Sequence, residues 1–371
     1  MRQLHIAMLI GSLTKGGAER VLVNLADYFV NSGYRITMVT QYRWEDEYPL
    51  NKKVKRVLSD ISKEETSKSR IVNFKRRFMK LREIWKSEKP DVILSFIGKN
   101  NMMAILTSRF LNIPVAVSVR ADPGQEYYNF WMRTLARNLF ARADGVILQT
   151  RQCLGFFPEK VRKKAVLLRN PVSGAFFRDR YRGGREKTIV AVGRVDENKN
   201  HELLIRAFAQ IAEEFPEYQL IIYGEGELRE KLRLLSGELQ LSERILLPGS
   251  IANVADAIYR SRIFVLSSNT EGVPNTLIEA MLMGLTVVST DCPCGGPADL
   301  IRDGYNGCLV PVKRVDKMTE KLRFLLNNLH IADEMGENAA KTSEIFAGDK
   351  VYGEWERYLC SLCRTKVRDK C

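Results

Sequence analysis

Two doubly wound α/β domains are the fold class this sequence predicts. Three observations carry the prediction. Short apolar runs alternate with helical segments of about 10–15 residues along the chain, the pattern of parallel sheets covered on both faces. A chain of 371 residues is long enough for two domains of about 100–200 residues each. The alternation is interrupted at Asn170 to Lys187, where Pro, Gly and charge replace periodicity as in an interdomain linker.

The first half opens on LHIAMLIG (Leu4 to Gly11), a buried-type strand. SLTKGG then leads into an amphipathic helix that ends at Gly33. Gly16-Gly17 is either a plain tight turn or a loop whose backbone approaches a ligand closely. It is neither GxGxxG nor a Walker loop, since no GK followed by Ser or Thr is present. RITMVTQ (35–41) is the next strand. Within the charge-rich residues 42–89, Lys68 to Lys89 reads as a helix with Ile71, Phe74, Phe78, Leu81 and Trp85 at helical spacing. Lys75, Arg76, Arg77, Lys80, Arg82 and Lys86 crowd its other faces. It is either a core-facing helix with a solvated basic side or one that docks on anionic lipid. Strands follow at 91–96, 115–120, 145–150 and 165–170, with helices expected near 100–110 and 127–142.

The second half repeats the architecture. Strands are predicted at 188–194, 218–224, 245–249, 263–268, 286–291 and 307–311, helices begin near His201 and Glu227, and 313–362 reads as helical. Ligands of such sheets bind beyond the carboxyl ends of the strands. The loops that matter are therefore 11–17, 96–100, 120–126, 193–200, 224–228, 249–253 and 269–276. In VGRVDENKNH, Gly193 and Arg194 lie at a strand end and Lys199 just before a helix. Two cations placed there can clamp a diphosphate and take up its developing charge. Gly224 and Gly226 allow close backbone approach at the next strand end. LPGSI, up to Ile251, can present backbone groups to a nucleobase edge.

The most informative stretch is SSNTEGVPNTLIEAMLMG, Ser267 to Gly284. A strand empties into a polar loop, and the loop delivers backbone N–H groups to a helix N-terminus that favours phosphate. Thr276 followed by Glu279 is a capping-box pattern. Glu271 and Glu279 bracket this anion site, where carboxylates suit sugar hydroxyls better than phosphate. The pattern points to a ligand with both parts, such as a nucleotide sugar. Taken singly, Glu279 is equally a capping residue and Glu271 a solvated loop charge.

Composition narrows the class. Residues 1–186 carry 35 Lys+Arg against 17 Asp+Glu, so the excess positive charge of the +14 chain lies in the first half. That asymmetry suggests an anionic partner, a membrane surface or a nucleic acid. LHIAMLIG is too short for a signal peptide, and no apolar run approaches the ~20 residues of a membrane span. The cysteines, seven in number, form no framework, which fits a reduced, cytosolic protein. Cys360 and Cys363 form a CxxC without a partner pair, which argues against a metal or redox role.

GGAERV, VGRVDENKNHELLIRAFA, YGEGELREKL, LPG and the segment from EGVPNTLIEAMLMG to NGCLVPV together resemble a retaining glycosyltransferase of family 4, with the GT-B fold of two facing Rossmann-like domains and a deep cleft. The Glu271/Glu279 pair matches that family's E-x7-E motif. The resemblance implies an acceptor domain at 1–180, a nucleotide-sugar domain at 181–348 and a terminal helix, 349–371, crossing back. It implies that Glu271 faces the donor sugar, assisted by Gly272, Val273, Pro274 and Asn275, and that Glu279 binds the ribose. Arg194 and Lys199 would hold the diphosphate, with the N–H groups near Thr276 and the Gly16-Gly17 loop. Many members carry a histidine after the strand VAVSVR. Here the sequence reads SVRADPG, and either Arg120, to stabilise charge, or Asp122, to orient the acceptor hydroxyl, takes that place.

The expected protein is thus a retaining, metal-independent glycosyltransferase without a cofactor, since no DxD is present to chelate a metal. It is expected to use a UDP-linked hexose or N-acetylhexosamine, of GalNAc type, and a polyprenyl-diphosphate-linked glycan of surface polysaccharide, at the cytoplasmic face of the cell membrane. The alternatives are a GT-B enzyme with a soluble acceptor, which leaves the basic half unexplained, and a nucleic-acid-binding α/β protein. The latter lacks basic stretches with interleaved aromatics and leaves both glutamates unused.

Overall fold

The computed structural model describes residues 3–61 and 66–368, with side chains through residue 363. The last residues of the expected terminal segment, Cys371 among them, lie outside the described residues. Contacts divide the chain into two units: one runs through Pro171 and takes in the helix Gly348–Arg368, the other is Val172–Ala347.

Among the described residues the first unit holds one parallel sheet of seven strands: β1 (His5–Ile10), β2 (Arg35–Thr40), β3 (Lys55–Leu58), β4 (Val92–Phe96), β5 (Val115–Ser118), β6 (Gly145–Leu148) and β7 (Ala165–Leu167). Their order is β3-β2-β1-β4-β5-β6-β7, reversing between β1 and β4, where Ile6 lies opposite Val92. β1, β4, β5 and β6 are buried along their whole length, as strands covered on both faces must be. The second unit repeats the arrangement with β8 (Glu186–Val192), β9 (Gln219–Tyr223), β10 (Ile245–Gly249), β11 (Ser261–Leu266), β12 (Thr286–Asp291) and β13 (Cys308–Pro311), ordered β10-β9-β8-β11-β12-β13. Its reversal falls between β8 and β11, with Ile263 opposite Ile189. Both units are Rossmann-like, and each reversal marks where ligands of such sheets bind.

Several local expectations are corrected. The strand β3 was not read from the charged stretch, because its edge position leaves it without a buried apolar run. The helix expected at 127–142 is the shorter Phe130–Phe140, which Asn129 caps by accepting from Met132 N–H at 2.7 Å, and the loop before it holds a separate turn of helix, Pro123–Glu126. The long helical stretch after 313 is broken into Val315–Asn327, Leu329–Ala340, Ser343–Phe346 and Gly348–Arg368. The basic helix spans Arg70–Glu88, but only its second half faces the core, through Leu81, Ile84 and Trp85. Ile71 and Phe74 are 81% and 51% exposed, so the first half displays apolar and basic residues together.

The C-terminal helix belongs to the first unit for visible reasons. Trp355 is fully buried and donates its indole N–H to the Arg169 carbonyl at 2.8 Å. Tyr352 stacks on Tyr28 at 4.5 Å between ring centroids, and Glu356 accepts from the hydroxyls of Tyr28 and Tyr34.

Candidate functional site

In the second unit the loops after β8, β11 and β12 meet at the sheet reversal. The first loop turns through Asn200, which adopts a left-handed φ of 46° at the N-cap position of the helix His201–Ala209. Asp196 accepts from the Lys199 N–H at 2.9 Å, and Ser267 donates its hydroxyl to the Lys199 carbonyl at 2.9 Å. Lys199 is thereby fixed at both ends of its backbone. Its Nζ lies 2.5 Å from Oε1 of Glu271, and the Ser268 hydroxyl donates to that same oxygen at 2.7 Å.

The Glu271 loop is held by its neighbours rather than by itself. Asn198 accepts from the N–H and hydroxyl of Thr270 at 3.2 and 3.0 Å and donates to the Thr270 carbonyl at 2.9 Å. On the other side, Glu271 N–H donates to the Pro293 carbonyl at 2.8 Å, and Cys294 N–H returns to the Glu271 carbonyl at 3.2 Å. Burial and the Glu271 charge push the adjacent Cys292 thiol up to about 12. Gly296 lets these loops close: a Cβ there would sit 1.5 Å from the Gly272 carbonyl oxygen. Gly224 serves likewise against Gly193, at 1.8 Å, and Gly226 against Val195, at 2.2 Å.

The helix after the loop spans Asn275–Leu282 with Pro274 at its N-cap and no side-chain cap. This corrects the capping-box reading. With the helix starting at Asn275, Glu279 falls in the second turn, beyond the capping position. It is 2% exposed. Gly272 and Pro274 are buried behind the loop, while Val273, Asn275 and Thr276 are half-buried at its rim. Ile251 is half-buried in the loop after β10, whose last residue, Gly249, takes a φ of +90°. The two expected diphosphate cations are not a matched pair here. Lys199 is 15% exposed and joined to Glu271, whereas Arg194 is 65% exposed and pairs with Asp196 at 2.9 Å. Beneath them His201 is buried and its Nε2 meets the Arg194 carbonyl at 3.2 Å; burial, then the Lys199 charge, lowers its pKa to about 4.

In the first unit Gly16 is the N-cap of the helix Gly17–Asn31, and its own N–H is spent on the Thr14 carbonyl at 2.6 Å. Asp122 caps the helix Pro123–Glu126, accepting from Gly124 N–H at 2.8 Å. Arg120 lies over the Phe96 ring, 4.6 Å from its centroid, and donates to Asn170 Oδ1 at 2.5 Å. Ile97, a β-branched residue, holds a φ of +71°, a strained conformation at the end of β4.

Sequence reasoning passed over Ser268, Asn198 and Glu126. Ser268 and Asn198 lie inside quoted motifs, but only the fold shows that they brace Glu271. Glu126 accepts from the Gly98 N–H at 2.5 Å, tying the loop after β5 to that after β4. Burial raises its carboxyl above the usual range despite that bond. Among the described residues no cluster of His, Cys, Asp or Glu is arranged to hold a metal ion.

A parallel sheet whose reversal gathers a carboxylate, an ammonium group and a helix N-terminus suits an α/β enzyme with a phosphorylated, hydroxyl-bearing ligand. Residues 15–173 match the model for Glycosyltransferase Family 4, and residues 175–342 that for Glycosyl transferases group 1. The chain belongs to the family-4 glycosyltransferases. It is similar to the GalNAc-alpha-(1->4)-GalNAc-alpha-(1->3)-diNAcBac-PP-undecaprenol alpha-1,4-N-acetyl-D-galactosaminyltransferase of Campylobacter jejuni, at 26% identity over 97% of this chain and 99% of that one. The N-acetylgalactosamine-N,N'-diacetylbacillosaminyl-diphospho-undecaprenol 4-alpha-N-acetylgalactosaminyltransferase of the same species is 33% identical over 47% of each chain. The crystal structure of Anabaena HepE in complex with UDP-glucose shares the fold, with a TM-score of 0.80 at 16% identity, covering 97% of this chain and 100% of that one.

Proposed function

We propose that this glycosyltransferase moves an N-acetylhexosamine, of GalNAc type, from a UDP-linked donor to a polyprenyl-diphosphate-linked glycan, with retention of configuration. The observation that carries the reading is the contact of Lys199 with Glu271 at the β8/β11 reversal. It sets a cation and a carboxylate side by side, the order in which a sugar diphosphate presents its phosphate and its hydroxyls.

In this reading Glu271 accepts hydrogen bonds from the donor sugar, and its charge stabilises the sugar as it becomes cationic. Lys199 and Arg194 take the diphosphate as the bond from the anomeric carbon to phosphate breaks. The N-terminal end of the helix Asn275–Leu282, at Asn275 and Thr276, adds its partial positive charge. Glu279 accepts from the ribose hydroxyls. Gly193, Gly224, Gly226 and Ile251 line the backbone side. The acceptor oxygen attacks from the leaving-group face, and its proton passes to the departing phosphate. Cations and helix N-terminus supply the charge a metal would otherwise carry, so the proposed reaction is metal-independent. Either Asp122 orients the acceptor hydroxyl or Arg120 stabilises charge.

The membrane reading rests on the first unit. Tyr128, Phe130 and Trp131 are 77%, 72% and 79% exposed beside Arg133 and Arg137, and the Arg70–Glu88 helix displays Ile71 and Phe74 among its cations. Aromatic groups next to basic ones suit the headgroup layer of an anionic bilayer. No helix among the described residues is long and apolar enough to cross a membrane. The proposed location is the cytoplasmic face of the membrane, with peripheral binding. A screen of UDP-GalNAc, UDP-GlcNAc and UDP-glucose against a short-chain polyprenyl-diphosphate sugar tests the proposal, with the anomeric configuration of the product read by NMR. Transfer from UDP-GalNAc to give an α-linked product is expected. Transfer only to soluble sugars, or an inverted product, would overturn it.

A further inference from the structure

Arg120 is a charged group without a counter-charge. Its guanidinium carbon lies 4.6 Å from the Phe96 centroid and 5.9 Å from that of Trp355, and both aromatic residues are fully buried. Nη2 donates to Asn170 Oδ1 at 2.5 Å and Nη1 to Ser118 Oγ at 3.4 Å. Asn170 Oδ1 is itself fixed by Gln149 at 2.8 Å. Every one of these partners is neutral. Nε is buried and makes no hydrogen bond. No carboxylate among the described residues pairs with the guanidinium, and burial alone pushes its pKa down to about 9.

Taking a cation out of water is unfavourable unless an anion meets it. Elsewhere in the chain Arg56 meets Glu47 and Arg180 meets Asp333, while Arg244 spends its donors on the carbonyls of Ala212, Phe215 and Tyr218. Arg120 lies just past the carboxyl end of β5, where a sheet of this kind receives ligands. Its orientation is over-determined by two rings and two acceptors. The residue as a whole is half-buried rather than sealed. A planar fork of N–H donors held in this way matches the oxygens of a phosphate.

We propose that Arg120 is the counter-ion of a substrate phosphate group, which docks on the guanidinium held by Phe96 and Trp355. Two substrates of the proposed reaction carry such a group: the nucleoside diphosphate and the lipid-linked acceptor. The inference rests on the glycosyl-transfer reading for its ligand class. Its test needs no turnover, so the two can fail separately.

The experiment is calorimetric titration of the full chain with UDP and, in detergent, with farnesyl diphosphate. Uridine and farnesol are the phosphate-free controls. Wild type, Arg120→Met and Arg120→Lys are compared. Arg120→Met should weaken one of the two diphosphates at least tenfold, Arg120→Lys should restore part of that loss, and the controls should not change. A loss confined to UDP assigns the site to the leaving nucleotide; a loss confined to farnesyl diphosphate assigns it to the acceptor. Unchanged affinity for both, or an equal loss for the controls, would overturn the proposal. If Arg120→Met does not fold, Arg120→Lys decides alone: it keeps the charge but not the fork, so a loss of threefold or more for one diphosphate supports the site and none refutes it.

Discussion

Lys199 Nζ lies 2.5 Å from Glu271 Oε1, and the Ser268 hydroxyl meets the same oxygen at 2.7 Å. The two residues come from different loops, 72 positions apart, and only the sheet reversal brings them together. Each side chain is about one-seventh exposed, at 15% and 13%, so the pair is shielded but reachable. The first carboxylate oxygen of Glu271 is thereby held in place.

Glu271→Gln follows from that geometry. Interactions with the donor sugar strengthen as positive charge develops, so the variant should lose kcat by about a hundredfold with little change in donor KM. Steady-state kinetics checks it. A raised KM with an intact kcat would place Glu271 in ground-state binding only.

Gly296→Ala tests the closeness of the loops. The new methyl would stand 1.5 Å from the Gly272 carbonyl oxygen, so the Glu271 loop must move. Lowered UDP affinity and a lower melting temperature, with far-UV circular dichroism unchanged at 25 °C, are expected. An alanine variant with wild-type affinity would mean that loop position does not govern donor binding.

His201 predicts an acid limit to stability. Its folded pKa of about 4 lies below the ordinary 6.5, so folding favours the neutral ring. The stabilisation is complete above about pH 6.5 and is lost as pH falls through about 4, at most on the order of 3 kcal/mol. Urea unfolding of wild type and His201→Asn at pH 7 and pH 5 reads this out. Wild type should lose more stability between those values than the variant; equal losses would contradict the buried neutral imidazole.

The membrane reading separates into two variants. Replacing Lys75, Arg76, Arg77 and Lys80 with Gln should weaken binding to anionic vesicles by about 1 kcal/mol per charge near the surface, most visibly at low salt. Replacing Phe130 and Trp131 with Ser should weaken it at high salt as well, since burying apolar surface is not screened. Vesicle sedimentation unaffected by either set would remove the first unit from the membrane.

Much of this was legible in the sequence. Continuous apolar runs such as HIAMLI and IFVLSS leave no reading but a strand buried on both faces, and the loops after them follow from parallel topology. Glu271 and Glu279 stood out by spacing. What was hidden depends on partners distant in sequence. The pairing of Lys199 with Glu271, and the absence of a carboxylate partner for Arg120 among the described residues, exist only after folding. The helix start at Asn275 was misjudged because Thr276 and Glu279 mimic a capping box, whereas Pro274 fixes the first turn. The exposed Ile71 and Phe74 follow the same period as the buried Leu81 and Trp85, and periodicity alone does not say where along a helix the core ends.

In the proposed reaction the second unit binds a nucleotide sugar through Glu271 and Glu279 in different roles. The decisive measurement is the calorimetric affinity of UDP for wild type, Glu279→Gln and Glu271→Gln. The helix start at Asn275 puts Glu279 in the second turn, and Gln keeps its shape, so Glu279→Gln should leave the fold intact while removing a charge-assisted bond to the ribose, worth roughly 1.5–3 kcal/mol. UDP should bind wild type, bind Glu279→Gln at least tenfold more weakly, and bind Glu271→Gln nearly as well as wild type. Equal affinity in all three proteins, or no binding to any of them, would contradict the account.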